Sequence, residues 1–244
     1  MLAQKKKAVN TRGYYTRDNL TRFADALSEA RSALEADADR KTAAWKVSIS
    51  NGNKKTGPVG SVSLLPFFTC PAVCSNTCGK YCYAAKIALL RPSVLKAYAR
   101  NTEILFKDSS EYWRQVRRAA AGFRFFRFHV AGDIPNTVYL EEMIKTAETL
   151  PHTSFLAFTK RFYAVNEIIE KRGGLPSNLQ ILFSGEENLS PDNPHKLPET
   201  TIYTDESEAD SSWLRCGGNC FDCGCAGLGC WQAKNGDVIA FKKH

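Results

Sequence analysis

The stretch FRFFRFHVAGD, residues 123–133, decides the fold class. Apolar and polar residues alternate through it, the period-two pattern of a strand. Alternation puts Arg127, His129, Ala131 and Asp133 on one face and Phe126, Phe128 and Val130 on the other. The second face is core. The first carries a cation, an imidazole and, past Gly132, a carboxylate. Downstream the period switches back and forth. Residues 137–150 have amphipathic helical spacing, 154–159 read as a strand, 164–171 as a helix and 179–183 as a strand. Short strands at 201–203 and 238–241 continue the series. Strands separated by helices run parallel, so the chain is expected to be an α/β protein, built as a partial (β/α) barrel.

Three of these strands end in polar segments. The first runs into Gly132 and Asp133, FLAFTK ends in Thr159 and Lys160, and ILFSGEEN ends in Ser184, Gly185, Glu186 and Asn188. Each alone is an ordinary strand-to-loop transition. Together they suggest one shared mouth, because parallel barrels build their sites from strand C-terminal ends. Arg127, His129, Lys160 and Glu186 are the candidate pocket-lining catalytic groups, and Gly132, Asp133 and Ser184 the candidate binding groups. Gly132 would let a ligand approach the backbone closely. A structural Arg–Asp pair beside a core histidine is the alternative, and for His129 alone it is the better one.

Upstream, residues 1–16 read as a basic arm. Leu20, Phe23, Leu27, Ala30 and Leu34 form a helical packing stripe over about 17–37. Residues 45–50 alternate as a strand, Asn51-Gly52 marks a turn, and 61–65 return as a second strand. A helix or helix pair covers 92–120, broken near Asp108-Ser109-Ser110. Three parts follow: an N-terminal arm and helix (1–44), the α/β body (45–205) and a cysteine-rich segment (206–244).

The nine cysteines sit in two places. Cys70, Cys74, Cys78 and Cys82 recur every fourth residue, and Cys216, Cys220, Cys223, Cys225 and Cys230 crowd near the end. Thiols gathered this tightly hold a metal or an iron–sulfur cluster. On one continuous helix Cys70 and Cys82 would lie roughly 18 Å apart, at about 1.5 Å per residue, too far for one cluster. Pro71 also opposes such a helix. Residues 70–79 are therefore expected to loop around a ligand, with a helix from near Gly79 through 83–90. Zinc and iron–sulfur clusters both take thiolates. In the first run the lack of a nearby histidine and the flanking Tyr81 and Tyr83 favour iron–sulfur. In the second, Cys216, Cys220, Cys223 and Cys230 are the candidate ligands, with Cys225 unassigned.

Composition excludes little else. Hydrophobic residues at 43% and charged residues at 24% are ordinary for a soluble globular chain. No apolar stretch follows the N-terminal lysines and none is long enough to span a bilayer, so no membrane partner and a reducing cytoplasm are expected. The net charge is +8. Residues 86–127 are rich in Lys and Arg, a possible nucleic-acid surface, although a solvated helix face explains the same pattern.

The motifs SLLPFFTCP, CGKYCYAAK, RFHVAGD and FLAFTK, followed by Cys220-x-x-Cys223 and Cys230-Trp231, resemble the phage-encoded gene-product-88 family from about residue 45 onward. That family is distantly similar to radical S-adenosylmethionine enzymes. The resemblance implies a radical-SAM-like partial barrel with a catalytic [4Fe–4S] cluster in the 70–82 loop, binding S-adenosylmethionine, and an auxiliary cluster in the C-terminal segment. It implies Cys78 and Cys82 as ligands, with Cys70 or Cys74 as the third, and Asp133 as the anchor of the cofactor amine. Two functions follow. One is a radical enzyme acting on a small-molecule or nucleotide-type substrate, its electron donor unspecified. The other is a nucleic-acid-binding protein in which zinc or iron–sulfur sites are structural.

Overall fold

Parallel strands joined by helices bring their C-terminal ends to one edge of a sheet, and this arrangement positions everything that follows. The computed structural model describes residues 13–186 and 189–242. The chain runs through α1 (Arg17–Ala36), β1 (Ile49–Ser50), β2 (Gly60–Val62), α2 (Tyr83–Leu90), α3 (Pro92–Lys107), α4 (Ser109–Ala120) and β3 (Phe125–Phe128). It continues through α5 (Thr137–Thr149), β4 (Ser154–Thr159), α6 (Phe162–Arg172), β5 (Leu179–Ser184) and β6 (Glu199–Tyr203). The cysteine-rich segment adds β7 (Leu214–Arg215), α7 (Cys220–Cys225) and β8 (Val238–Lys242).

The eight strands form one sheet in the order β1-β2-β3-β4-β5-β6-β8-β7. Only β1 is antiparallel, pairing with β2; the other pairings are parallel. The α/β class with helical crossovers is therefore observed. No pairing joins β1 to β7 among the described residues, and the expected partial barrel is not confirmed by this topology. In the segment after residue 206, β7 and β8 extend the same sheet.

The two sheet faces bury different partners. Phe126, Phe128, Phe155, Ala157, Ile181 and Phe183 pack under Trp113, Val116, Leu140, Ile144 and Ile168 of α4, α5 and α6. Phe125, Leu156, Leu182 and Ile239 face the other way, onto Phe221, Trp231 and the cysteines 220, 223 and 230. A third cluster joins Phe23, Ala26 and Leu27 of α1 to Ala85, Ala88, Leu95 and Ala99 of α2 and α3. Phe23, Leu27 and Leu34 of the expected stripe are buried, while Leu20 and Ala30 are half-buried.

Helix starts follow local capping chemistry. Asp108 accepts from Glu111 N at 2.9 Å, which explains the break between α3 and α4, and Asn136 accepts from Tyr139 N at 2.9 Å. Several strand expectations are shortened. Trp45 sits in a 3-10 turn, and the donors of Val47 and Ser48 go to Gln115 and Asn101 side chains, so only residues 49–50 pair as a strand. β2 stops at Val62, where Leu65 N turns to the Thr102 hydroxyl. β3 stops at Phe128 because His129 takes a left-handed backbone, φ 61°. No helix of the described chain is long and apolar enough to cross a membrane.

Candidate functional site

The first cysteine run begins eight residues after β2, at the edge where β2, β3, β4 and β5 all end. It is a wrapped loop, as the spacing predicts. Two short 3-10 turns, Ala72–Ser75 and Cys78–Lys80, fold it back on itself, and α2 starts only at Tyr83. Cys74 is buried, and its thiol interacts with those of Cys70 and Cys78. Hydrogen bonding from Cys70 pushes the Cys74 pKa up, bonding from Cys74 does the same to Cys78, and burial raises Cys82. Cys82 caps α2, its sulfur accepting from Ala85 N at 3.5 Å. All nine cysteines are free thiols. Thiols held protonated in this way must release protons before they ligate a metal.

Beside this loop lies a buried ion pair. Lys160 Nζ is 2.9 Å from Glu186, each side chain 6% exposed. The same ammonium donates to Ser184 O and Oγ at 2.8 Å, and the Tyr81 hydroxyl donates to Glu186 Oε2 at 2.9 Å. Three of the sequence-predicted groups, Lys160, Ser184 and Glu186, thus meet, and both Lys160 and Glu186 lie in the field of Cys78. Asn188 lies outside the described residues.

Asp133 lies one layer beneath. Its Oδ1 accepts from Thr159 Oγ1 at 2.6 Å and from Ile134 N at 2.7 Å, and its Oδ2 accepts from Lys160 N at 2.9 Å. Burial raises its pKa, and these donors pull the other way. The carboxylate therefore ties the ends of β3 and β4 together. Gly132 likewise serves packing. Its φ is 79°, and a Cβ there would lie 2.6 Å from Thr69 Oγ1 and 2.9 Å from Leu64 O. The segment that leads into the cysteine loop thus approaches its backbone closely.

The shared face predicted for Arg127 and His129 is overturned. The left-handed turn at His129 sends its ring into the helical core, where Nε2 lies 2.9 Å from the Tyr139 hydroxyl, which in turn bonds Tyr112. His129 is 4% exposed and its Nδ1 has no partner. Burial lowers its pKa from 6.5 to about 3, so it is neutral in the fold. The unfolded chain takes up this proton below 6.5, so the contribution of His129 is complete above that pH and is lost as pH falls from 6.5 toward 3. Urea melts at about pH 7 and about pH 4.5 should show His129→Gln losing less stability on acidification than the parent. Parallel losses in the two proteins would exclude a neutral core imidazole.

The second run packs on the opposite sheet face. Trp231 and Phe221 ring the Phe125 side chain at 4.9 and 5.8 Å, and Trp231 Nε1 donates to Cys220 O at 2.8 Å. Gly224 is required here, since a Cβ would lie 2.7 Å from the Phe125 ring. Sequence spacing gave no sign of this short helix, α7, or of its docking on β3. Cys230 lies in the field of Cys216, Cys220 and Cys223, and burial pushes its pKa up to about 12. Cys225 is outside this group; it is exposed and faces Arg124 Nη1 at 3.9 Å.

Arg127 joins the two halves. Its Nη1 donates to Cys220 Sγ at 3.6 Å, and its guanidinium lies 5.1 Å from the Phe158 ring centre. Tyr83, bonded to Val130 O at 2.5 Å, is in electrostatic range of Cys82, Cys220 and Arg127 alike. No sequence signal marked Tyr83 or Tyr81 as a bridging group, because their partners lie 47 and 105 residues away.

Among the described residues, no group of three or more His, Cys, Asp or Glu side chains is placed to hold a metal ion. One zinc draws its thiolates to about 2.3 Å from a single point. A four-iron cluster spreads the same ligands over a wider perimeter. Thiols alone line both runs, a donor set that suits either group; Arg127, whose Nε has no partner among the described residues, donates to Cys220 Sγ. The basic residues of 86–127 are paired in part. Lys96, Lys107, Arg114 and Arg117 are each paired with a glutamate.

The family model described as gene product 88 matches residues 17–236, and so includes α1, which the sequence motifs left uncovered. No curated protein and no solved structure matches the chain.

Proposed function

We propose, for a chain that belongs to the gene product 88 family, an iron–sulfur enzyme with one cysteine-held cluster over the strand ends of a parallel sheet and a second on one of its faces. The observation that supports it most is the placement of the first cysteine loop over the strand ends, against the buried Lys160–Glu186 pair. Cys78 and Cys82 hold a [4Fe–4S] cluster together with Cys70 or Cys74. Cys216, Cys220, Cys223 and Cys230 hold an auxiliary one. Such clusters, when bound, supply single electrons at low potential. The finer reading is radical chemistry on S-adenosylmethionine, with a small-molecule or nucleotide-type substrate in the mouth.

The residues themselves do recognisable work in this reading. Lys160 presents a fixed ammonium, partly neutralised by Glu186, beside the first cluster. Asp133 and Thr159 lock β3 to β4, so the loop rests on a rigid floor. Tyr81 and Tyr83, on either side of Cys82, tie the loop to Glu186 and to Val130 O. A reducing compartment suits nine unpaired thiols.

Anaerobically purified protein, analysed for metals and visible absorption, tests the reading. About eight irons per chain with broad visible absorption is the expected result, four per cluster. Reduction in the presence of S-adenosylmethionine should then release 5′-deoxyadenosine. Iron without that product would remove the radical chemistry and leave the clusters. A colourless zinc protein that binds nucleic acid with steep salt dependence would replace this reading with the structural-metal one.

A further inference from the structure

Arg127 carries a charge that the protein does not balance. Arg114 is paired with Glu111, Arg117 with Glu142 and Lys107 with Glu35, whereas Arg124, like Arg127, faces a cysteine sulfur. Among the described residues no carboxylate forms an ion pair with Arg127. Its guanidinium instead rests over Phe158, points Nη1 at Cys220 Sγ, and leaves Nε buried with no acceptor. A half-buried cation with an orphaned donor is costly unless a counter-charge arrives. The adjacent Cys220 and Cys230, two of the candidate ligands of the second run, share its field.

We infer that Arg127 is the counter-ion of an anionic four-thiolate iron–sulfur cluster held by Cys216, Cys220, Cys223 and Cys230, and that it sets the reduction potential of that cluster above that of the first. This rests on the iron–sulfur reading proposed above. The physical reason is charge. Reduction adds one negative charge to the cluster, and a nearby cation with N–H donors to sulfur stabilises the reduced state. The cation beside the first quartet, Lys160, is instead paired with Glu186 at 2.9 Å. Two sites of similar ligand type thus acquire different potentials from their surroundings. Lysine at position 127 would keep the charge but lose the planar set of donors.

The test uses the full chain reconstituted anaerobically with iron and sulfide, comparing the parent, Arg127→Gln and Arg127→Lys. Iron content is measured together with a redox titration followed by electron paramagnetic resonance. The parent should show two reduction waves. In Arg127→Gln the higher wave should move to lower potential while the other stays, or the auxiliary iron should be lost selectively, from about eight to about four per chain. Arg127→Lys should hold its iron and lie between the two. The inference is overturned if Arg127→Gln keeps all its iron with both waves unmoved, or if Arg127→Lys matches Arg127→Gln. A parent chain that binds no iron would sink the function proposed above. A parent that binds it, with waves indifferent to residue 127, would sink only the role of Arg127.

Discussion

Serine at both Cys78 and Cys82 is expected to halve the iron bound, from about eight to about four per chain, and to abolish release of 5′-deoxyadenosine. Both thiols belong to the first quartet, and Cys78 lies beside Lys160 and Glu186. The substitution is mild for the fold. Serine is smaller than cysteine by little, and at position 82 it is a favoured N-cap for α2, so the metal-free chain should melt at or above the parent temperature. That separates ligand loss from misfolding. Cys225→Ser is the control, because this thiol is exposed and lies toward Arg124, outside the second quartet. It should keep its full iron. Full iron in the double serine variant would remove the first site.

The second large effect concerns stability. Lys160→Ala should cost about 3–5 kcal/mol, because Glu186 would stay buried with its cation gone. For a chain of this size that corresponds to a fall of roughly 6–20 °C in melting temperature. Ser184 O would lose its donor as well. Replacing both partners by apolar residues, Lys160→Met with Glu186→Leu, should recover most of the loss, since neither leaves a charge unpaired. Thermal melts of the metal-free single and double variants measure this directly. A Lys160→Ala variant that melts with the parent would mean that water reaches Glu186 and the pair is not buried.

Both predictions depend on contacts that the linear sequence showed unequally. The helix over Arg17–Ala36, the break at Asp108 and the strand Ser154–Thr159 were legible, because each is set by local periodicity or by a cap three residues away. The gathering of the cysteines into two segments was legible from the sequence alone. The strand-end groups Lys160, Ser184 and Glu186 were found by the same reading, since parallel strands must end on one edge. His129 was misplaced for a local reason of a different kind. Alternation assumes continuous extended backbone, and a single residue at φ 61° ends it.

The sequence by itself determined the α/β class, the order of elements and the two sulfur-rich segments, because periodicity, caps and ligand spacing act over a few residues. Tertiary structure alone decided that β7 and β8 extend the same sheet, that α7 lies on Phe125, and that Arg127 meets a thiol 93 residues away. It also decided that Asp133 joins the ends of β3 and β4. These are consequences of burying two different faces of one sheet at once, and no window of neighbouring residues contains that constraint.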